Sequence, residues 1–143
     1  MPKFTRNFNI LARCSAFYRG RAFEELGITA NQYAFILRVC AEPGITQDAL
    51  AKHLFINKSN ATRQLTALEN SGFIERRQSE DDRRVLLIYP TQKAIDVRPA
   101  ILEKLVEWND YLLEGFNEDE LQQLDDMMEK ILEKAKTYVL DRQ

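Results

Sequence analysis

Arg63, Asn60 and Gln64 are the side chains of this sequence best suited to reading the edges of another molecule. A guanidinium can donate two parallel hydrogen bonds to guanine, and a carboxamide can pair in the same two-point way with adenine. The three stand in the run Asn57-Lys58-Ser59-Asn60-Ala61-Thr62-Arg63-Gln64-Leu65-Thr66-Ala67-Leu68. Ala61, Leu65 and Leu68 recur there at helical spacing, which leaves Lys58, Ser59, Thr62 and Arg63 on the opposite side with Asn60 and Gln64 flanking. Lys, Ser and Thr more often hold phosphates, and the free N–H groups of a helix start can receive one as well. A second basic group follows, in which Arg76, Arg77, Arg83 and Arg84 bracket Glu80, Asp81 and Asp82. Arg83, at the tip of a loop, suits a narrow minor groove, where negative potential favours a guanidinium. Arg77 and Arg84 suit backbone phosphates, and Asp81 is expected to pair with a nearby arginine and hold the loop in shape. Thr46 and Gln47, which open the preceding helix, are further phosphate candidates. A solvated polar helix and a hairpin of self-cancelling charges contain the same residue types, so the order of elements must decide.

Other chemistry has little to work with. The chain holds one histidine and two cysteines, three potential soft ligands where a structural zinc site usually takes four. His53, at a helix end beside Lys52 and without a second histidine, reads as a surface or packing residue. No nucleophile with a matching base, no phosphate-cradling glycine loop and no metal cluster is visible, which argues against an enzyme and against a cofactor. Cys14 and Cys40 lie far apart with no Cys-x-x-Cys pairing, and a reduced, cytoplasmic setting follows as the expectation. No apolar run approaches the roughly 20 residues that span a bilayer, so no membrane partner is expected. The segment MPKFTRNFNILARCSAF is interrupted by Asn9 and Arg13 and reads as an amphipathic helix rather than a signal peptide.

The elements that must position the basic residues are legible from caps and periodicity. Ile10, Leu11, Cys14, Phe17, Tyr18 and Ala22 predict a helix from Phe8 to about Phe23, closed by Gly27. Thr29 and Gln32 have capping-box spacing before a second helix with Tyr33, Ile36, Leu37 and Cys40 on one face. Pro43-Gly44 stops it. Thr46 caps a short helix from Gln47 to about Leu54. Asn57 caps the next, which runs to about Ser71 and ends at Gly72, where a left-handed backbone is easiest. Two short helices joined by a tight turn form a helix-turn-helix pattern. The β-rich runs Phe73-Ile74-Glu75-Arg76-Arg77 and Val85-Leu86-Leu87-Ile88-Tyr89 then read as a hairpin around the charged tip, a wing. Thr91 caps a long helix to about Phe116, in which Pro99 is expected to bend the backbone near Ile95. A last helix starts at Asn117 and carries the stripe Leu121, Leu124, Met128, Ile131, Leu132, Ala135 and Val139. The expected fold is mainly α with a small β-hairpin wing. A winged helix-turn-helix region spans 30–90 and is flanked by helices over 1–29 and 91–143, whose excess apolar surface, Phe4, Phe8 and Leu11 included, a second copy would bury.

Net charge alone does not announce a nucleic-acid partner. The total of −2 is divided as +3 over residues 1–45, +1 over 46–90 and −6 over 91–143. The bases that matter are those of the helix and wing. A winged helix used only for protein contact is the rival reading, but such a helix usually shows larger apolar anchors than Lys58, Thr62 and Arg63.

At this point the sequence resembles the MarR family (multiple antibiotic resistance regulators). The likeness rests on the helix pair from Ile45 to Ser71, the run Leu68-Glu69-Asn70-Ser71-Gly72-Phe73-Ile74-Glu75-Arg76, and the wing tip Asp81-Asp82-Arg83, which matches an Asp-x-Arg signature. The resemblance implies a triangular homodimer whose terminal helices form the interface and whose reading helices enter successive major grooves of a pseudo-palindromic operator. It also implies repression of transcription, relieved by a small, often aromatic or phenolic, molecule. In the organic-hydroperoxide branch of that family a first-helix cysteine senses oxidants. Cys14, with Tyr18 one turn later and Tyr33 on the next helix, partly matches that arrangement, although a second tyrosine is missing from Phe23-Glu24-Glu25-Leu26.

Overall fold

A computed structural model describes residues 1–142. Its elements are α1 (Lys3–Ala22), α2 (Tyr33–Ala41), β1 (Ile45–Thr46), α3 (Gln47–His53), α4 (Lys58–Asn70), β2 (Ile74–Gln78), β3 (Leu86–Pro90), α5 (Gln92–Leu113) and α6 (Glu118–Leu140), with a 3-10 turn over Glu24–Leu26. The mainly helical architecture with a small wing is the expected one. The chain divides into two units, Met1–Trp108 and Asn109–Gln143. Among the described residues no helix is long and apolar enough to cross a membrane, and no cluster of His, Cys, Asp or Glu could hold a metal ion.

In the first unit, side-chain caps set the two central helices. The Ala49 N–H donates to Thr46 Oγ1 at 3.1 Å and the Asn60 N–H to Asn57 Oδ1 at 2.7 Å, each satisfying a donor the helix leaves unpaired. α3 and α4 then bury Leu50, Ala51, Ala61, Leu65 and Leu68. Phe35, Ile36 and Val39 of α2 join them, as do Phe23, Phe73, Ile74, Ile88, Ala94 and Ile101. Thr29 and Gln32 form only half of their expected box: the Thr29 N–H donates to Gln32 Oε1 at 3.0 Å, and α2 begins one residue later. α5 runs through Pro99 and stops three residues before Phe116.

The sheet has three strands, one more than the sequence indicates. Its order is β1-β3-β2, all antiparallel, with Ile45 opposite Ile88 and Arg76 opposite Ile88 from the other side. Two residues of β1 are too few to show alternation, so pairing rather than pattern reveals the strand. Gly44 precedes it at φ +87°, where a Cβ would stand 3.2 Å from the Tyr89 hydroxyl. We expect Gly44→Ala to lose about 1–3 kcal/mol in equilibrium unfolding, since left-handed strain and a crowded hydroxyl add. A loss within 0.3 kcal/mol would mean that the turn relaxes freely.

The terminal helices are exposed out of proportion to their apolar content. α1, 20 residues long, has no buried residue, and Phe4, Phe8, Ile10, Leu11 and Phe17 are exposed. In the second unit, a reciprocal capping box between Asn117 and Glu120 starts α6. That helix has no buried residue either, and Met127, Ile131, Leu132, Tyr138 and Leu140 are exposed.

Candidate nucleic-acid interface

α4 presents its polar side as the sequence predicts, and hydrogen bonds now distinguish its members. Asn57 spends its side-chain oxygen on the cap. Thr62 Oγ1 donates to the Lys58 carbonyl at 2.9 Å and accepts from Gln47 Nε2 at 3.0 Å, which ties α3 to α4. Lys58 lies 3.7 Å from Asp48, both exposed, and such surface pairs contribute little and exchange readily. Ser59 and Arg63 are exposed. Arg63 reaches Asn60 Oδ1 at 3.5 Å, and among the described residues it has no carboxylate partner. Asn60 and Gln64 are half-buried and share a cleft of about 270 Å³ with Arg19 and Tyr33, so they are less open than Arg63.

The wing arginines fall into three classes. Arg76 is committed to the protein: its guanidinium donates to Glu69 and to Thr66 of α4, and its backbone N–H donates to Glu69 as well. Arg77 donates to Glu75 at 2.8 Å and lies over the Tyr89 ring, and Arg84 donates to Asp82 at 3.1 Å. Both are open to solvent, the Arg84 side chain 91% exposed against 18% for Arg76, so a phosphate could replace their partners at small cost. Arg83 is exposed and, among the described residues, makes no ion pair.

Among the described residues Asp81 makes no pair with an arginine. Asp82 makes that pair instead, because its carboxylate lies two residues before Arg84 and accepts from both the Arg84 backbone N–H and its guanidinium. These bonds hold the Asp82 carboxyl below its usual value. Asp81 is exposed. Spacing alone did not separate the two aspartates, since an Asx-type turn needs the two-residue offset to coincide with the loop's bend.

Thr46 and Gln47 meet Arg84, Val85 and Leu86 around a cleft of about 210 Å³, which brings the start of α3 to the base of the wing. The expected trio Cys14, Tyr18 and Tyr33 is divided. Cys14 is exposed and, with Tyr18, lines a groove of about 800 Å³ between α1 and α5. Tyr18 stacks on Trp108 at 4.6 Å and donates to the Lys104 carbonyl, while Trp108 donates to Ser15. Burial, with the Glu107 charge, raises the Tyr18 pKa above its ordinary value. Tyr33 instead packs on Phe23 and under Arg19. Burial also pushes the Cys40 thiol up, with Arg98 opposing.

Glu69 carries a pH expectation. The Arg76 side chain first, and then its backbone N–H, hold the Glu69 carboxyl below the usual carboxylate range. A carboxylate with a lowered folded pKa contributes stability that is complete above its unfolded value, about 4.3, and is lost as pH falls through the folded value. The stability advantage of wild type over Glu69→Gln, read from urea melts, should be flat from pH 6 to 8 and shrink below about pH 4. An advantage that grows on acidification would contradict the pairing.

The family model described as the MarR family matches residues 28–86. The HTH-type transcriptional regulator BilQ of Clostridium symbiosum is 30% identical over 73% of this chain and 73% of its own length. A solved structure described as MarR shares 34% identity and a TM-score of 0.83, covering 94% of this chain and 98% of that one. A MarR-family regulator from Listeria monocytogenes, solved in complex with a 26mer DNA, shares 28% identity and a TM-score of 0.89 over 98% of this chain and 93% of its own.

Proposed function

The chain belongs to the MarR family of transcription regulators, and from that premise we propose that it binds duplex DNA as a homodimer, α4 reading the major groove and the wing the minor groove. The observation that carries this reading is the pair of exposed guanidiniums that have no carboxylate partner among the described residues, Arg63 on α4 and Arg83 at the wing tip, while Arg38, Arg76, Arg77 and Arg84 each have one. Arg63, with Asn60 and Gln64 beside it, contacts base edges. Lys58, Ser59, Thr62 and the start of α4 hold phosphates, as do Thr46, Gln47, Arg77 and Arg84. Asn57 sets where α4 begins. The Listeria relative crystallised with DNA supports the reading by analogy.

Region 30–90 is the reader, and 1–29 with 91–143 supply the dimer contacts. The exposed Phe4, Phe8 and Leu11 of α1 and Leu132 and Tyr138 of α6 are apolar surface that a second copy would cover. Two readers set one helical turn apart match a pseudo-palindromic operator, and the dimer represses by occupying it. A small aromatic effector fits the α1–α5 groove, whose walls include Phe17, Tyr18 and Trp108. It releases DNA by preferring the arrangement in which the two readers no longer match the grooves.

The test is a fluorescence-anisotropy titration of purified protein against the duplex it selects from a random pool, with a scrambled duplex as control, at two salt concentrations. The reading predicts tighter binding to the selected duplex and a marked weakening in higher salt, as phosphate neutralisation releases counterions. Equal affinity for both duplexes, or no binding at low salt, would overturn it.

A further inference from the structure

The guanidinium of Arg76 sits where the wing meets α4, and every hydrogen bond it makes points into the protein. Its Nε and Nη2 donate to Glu69 Oε1 at 3.3 and 3.0 Å, its Nη2 to Thr66 Oγ1 at 3.1 Å, and its backbone N–H to Glu69 Oε2 at 3.0 Å. Thr66 and Glu69 lie on the last two turns of α4, and Arg76 is the middle residue of β2. Arg76 alternates with buried Ile74 on the strand face turned toward α4, while Glu75 and Arg77 take the other face. Among the described residues, this is the outermost hydrogen-bonded tie from the hairpin to α4. β3 is paired with β1 as far as Leu87, and beyond that the hairpin is held by bonds within itself, from Ser79 N–H to the Val85 carbonyl and from Arg84 to Asp82. The pairing with β1 steadies β3 but leaves β2 as the outer strand, next to α4. A planar fork from β2 onto one carboxylate and one hydroxyl of α4 fixes the angle between strand and helix, which a single charge on a flexible stem would not do.

We propose that Arg76 is a positioning residue that fixes where the wing, and with it Arg83, stands relative to α4, so that both readers reach one DNA site together. This rests on the DNA reading above and adds that the two readers are coupled through the protein. Arg76 makes no DNA contact. Arg76→Lys keeps the charge and loses the fork, Arg76→Met keeps the stem and loses both, and Glu69→Gln breaks the pair without removing a cation.

The test is a set of double-mutant cycles by fluorescence anisotropy, on the duplex that the wild-type protein selects from a random pool. In the wild-type background, Arg83→Ala should weaken binding about tenfold. In the Arg76→Met or Glu69→Gln background, the same change should weaken it only about twofold, because the wing no longer holds its place, while the effect of Arg63→Ala persists. Arg76→Lys should behave like Arg76→Met. An Arg83→Ala effect that stays about tenfold in both altered backgrounds overturns the proposal and leaves Arg76 a stabilising contact only. A salt slope lowered by about one in Arg76→Met but unchanged in Glu69→Gln overturns it in favour of a phosphate contact. Absence of any duplex binding by wild type overturns the DNA reading itself, and this proposal with it.

Discussion

Arg63→Ala and Arg83→Ala are each expected to weaken binding to the selected duplex by about 1–3 kcal/mol, and their effects should differ in kind. Among the described residues Arg63 has no carboxylate to leave, and its one bond, to Asn60 at 3.5 Å, is long and exposed, so the guanidinium can turn to a base edge at small cost. Its removal should relax sequence preference at one base position as well as lower affinity, because a bidentate guanine contact discriminates against the other bases. On the proposed reading Arg83 meets a groove whose width, rather than base identity, sets the potential. Its removal should cost most on duplexes with a narrow minor groove at the wing position and leave the major-groove preference intact. Combined in one chain, the two changes should reduce affinity by more than either, to the level of scrambled DNA. Competition titrations on a panel of single-base variants would check both expectations. Unchanged affinity in both single variants, with melting temperatures intact, would remove the proposed interface.

Phe73→Ala should produce the largest loss of stability, about 3–5 kcal/mol in urea unfolding. The ring is 1% exposed and sits where three elements meet. Gly72 at φ +85° turns the chain out of α4. The Phe73 N–H donates to the Leu68 carbonyl, and the Phe73 carbonyl accepts from Thr91 at the head of α5. Lys93 lies 4.4 Å above the ring and donates to the Ser71 carbonyl at the end of α4. Truncation therefore opens a cavity and strips a cation of its aromatic partner in one step. A loss below 1 kcal/mol would mean that the neighbouring Leu68, Ile74 and Ala94 collapse into the space. Lys93→Met should lose far less, because the ammonium is exposed and replaceable by water.

What the sequence disclosed, and what it concealed, follows from the range of each interaction. Caps act over three residues, so Thr46, Asn57 and Asn117 marked the starts of α3, α4 and α6 within one residue. The wing was legible because two β-rich runs flank a polar tip. β1 was not, since two residues gain their strand identity only from β3 across the sheet. α1 starts at Lys3 rather than Phe8, as an exposed helix start without a side-chain cap leaves no local mark. Among the candidate site residues, membership of α4 was readable from periodicity. The commitments of Arg76, Arg77 and Arg84 were not, because they depend on which carboxylate the folded hairpin brings near. For the same reason the sequence does not separate Asp82 from Asp81, and helical spacing does not show that α2 turns Tyr33 toward Phe23.

Hydroxyl-radical footprinting of the wild-type protein on its selected duplex tests the central claim most directly, since it reads stoichiometry and groove register together. Two readers in a homodimer predict two protected windows whose centres lie about 10–10.5 base pairs apart, each flanked by a minor-groove patch that Arg83→Ala leaves open. A single protected window, or uniform weak protection along the duplex, would contradict a two-fold reader built from α4 and the wing.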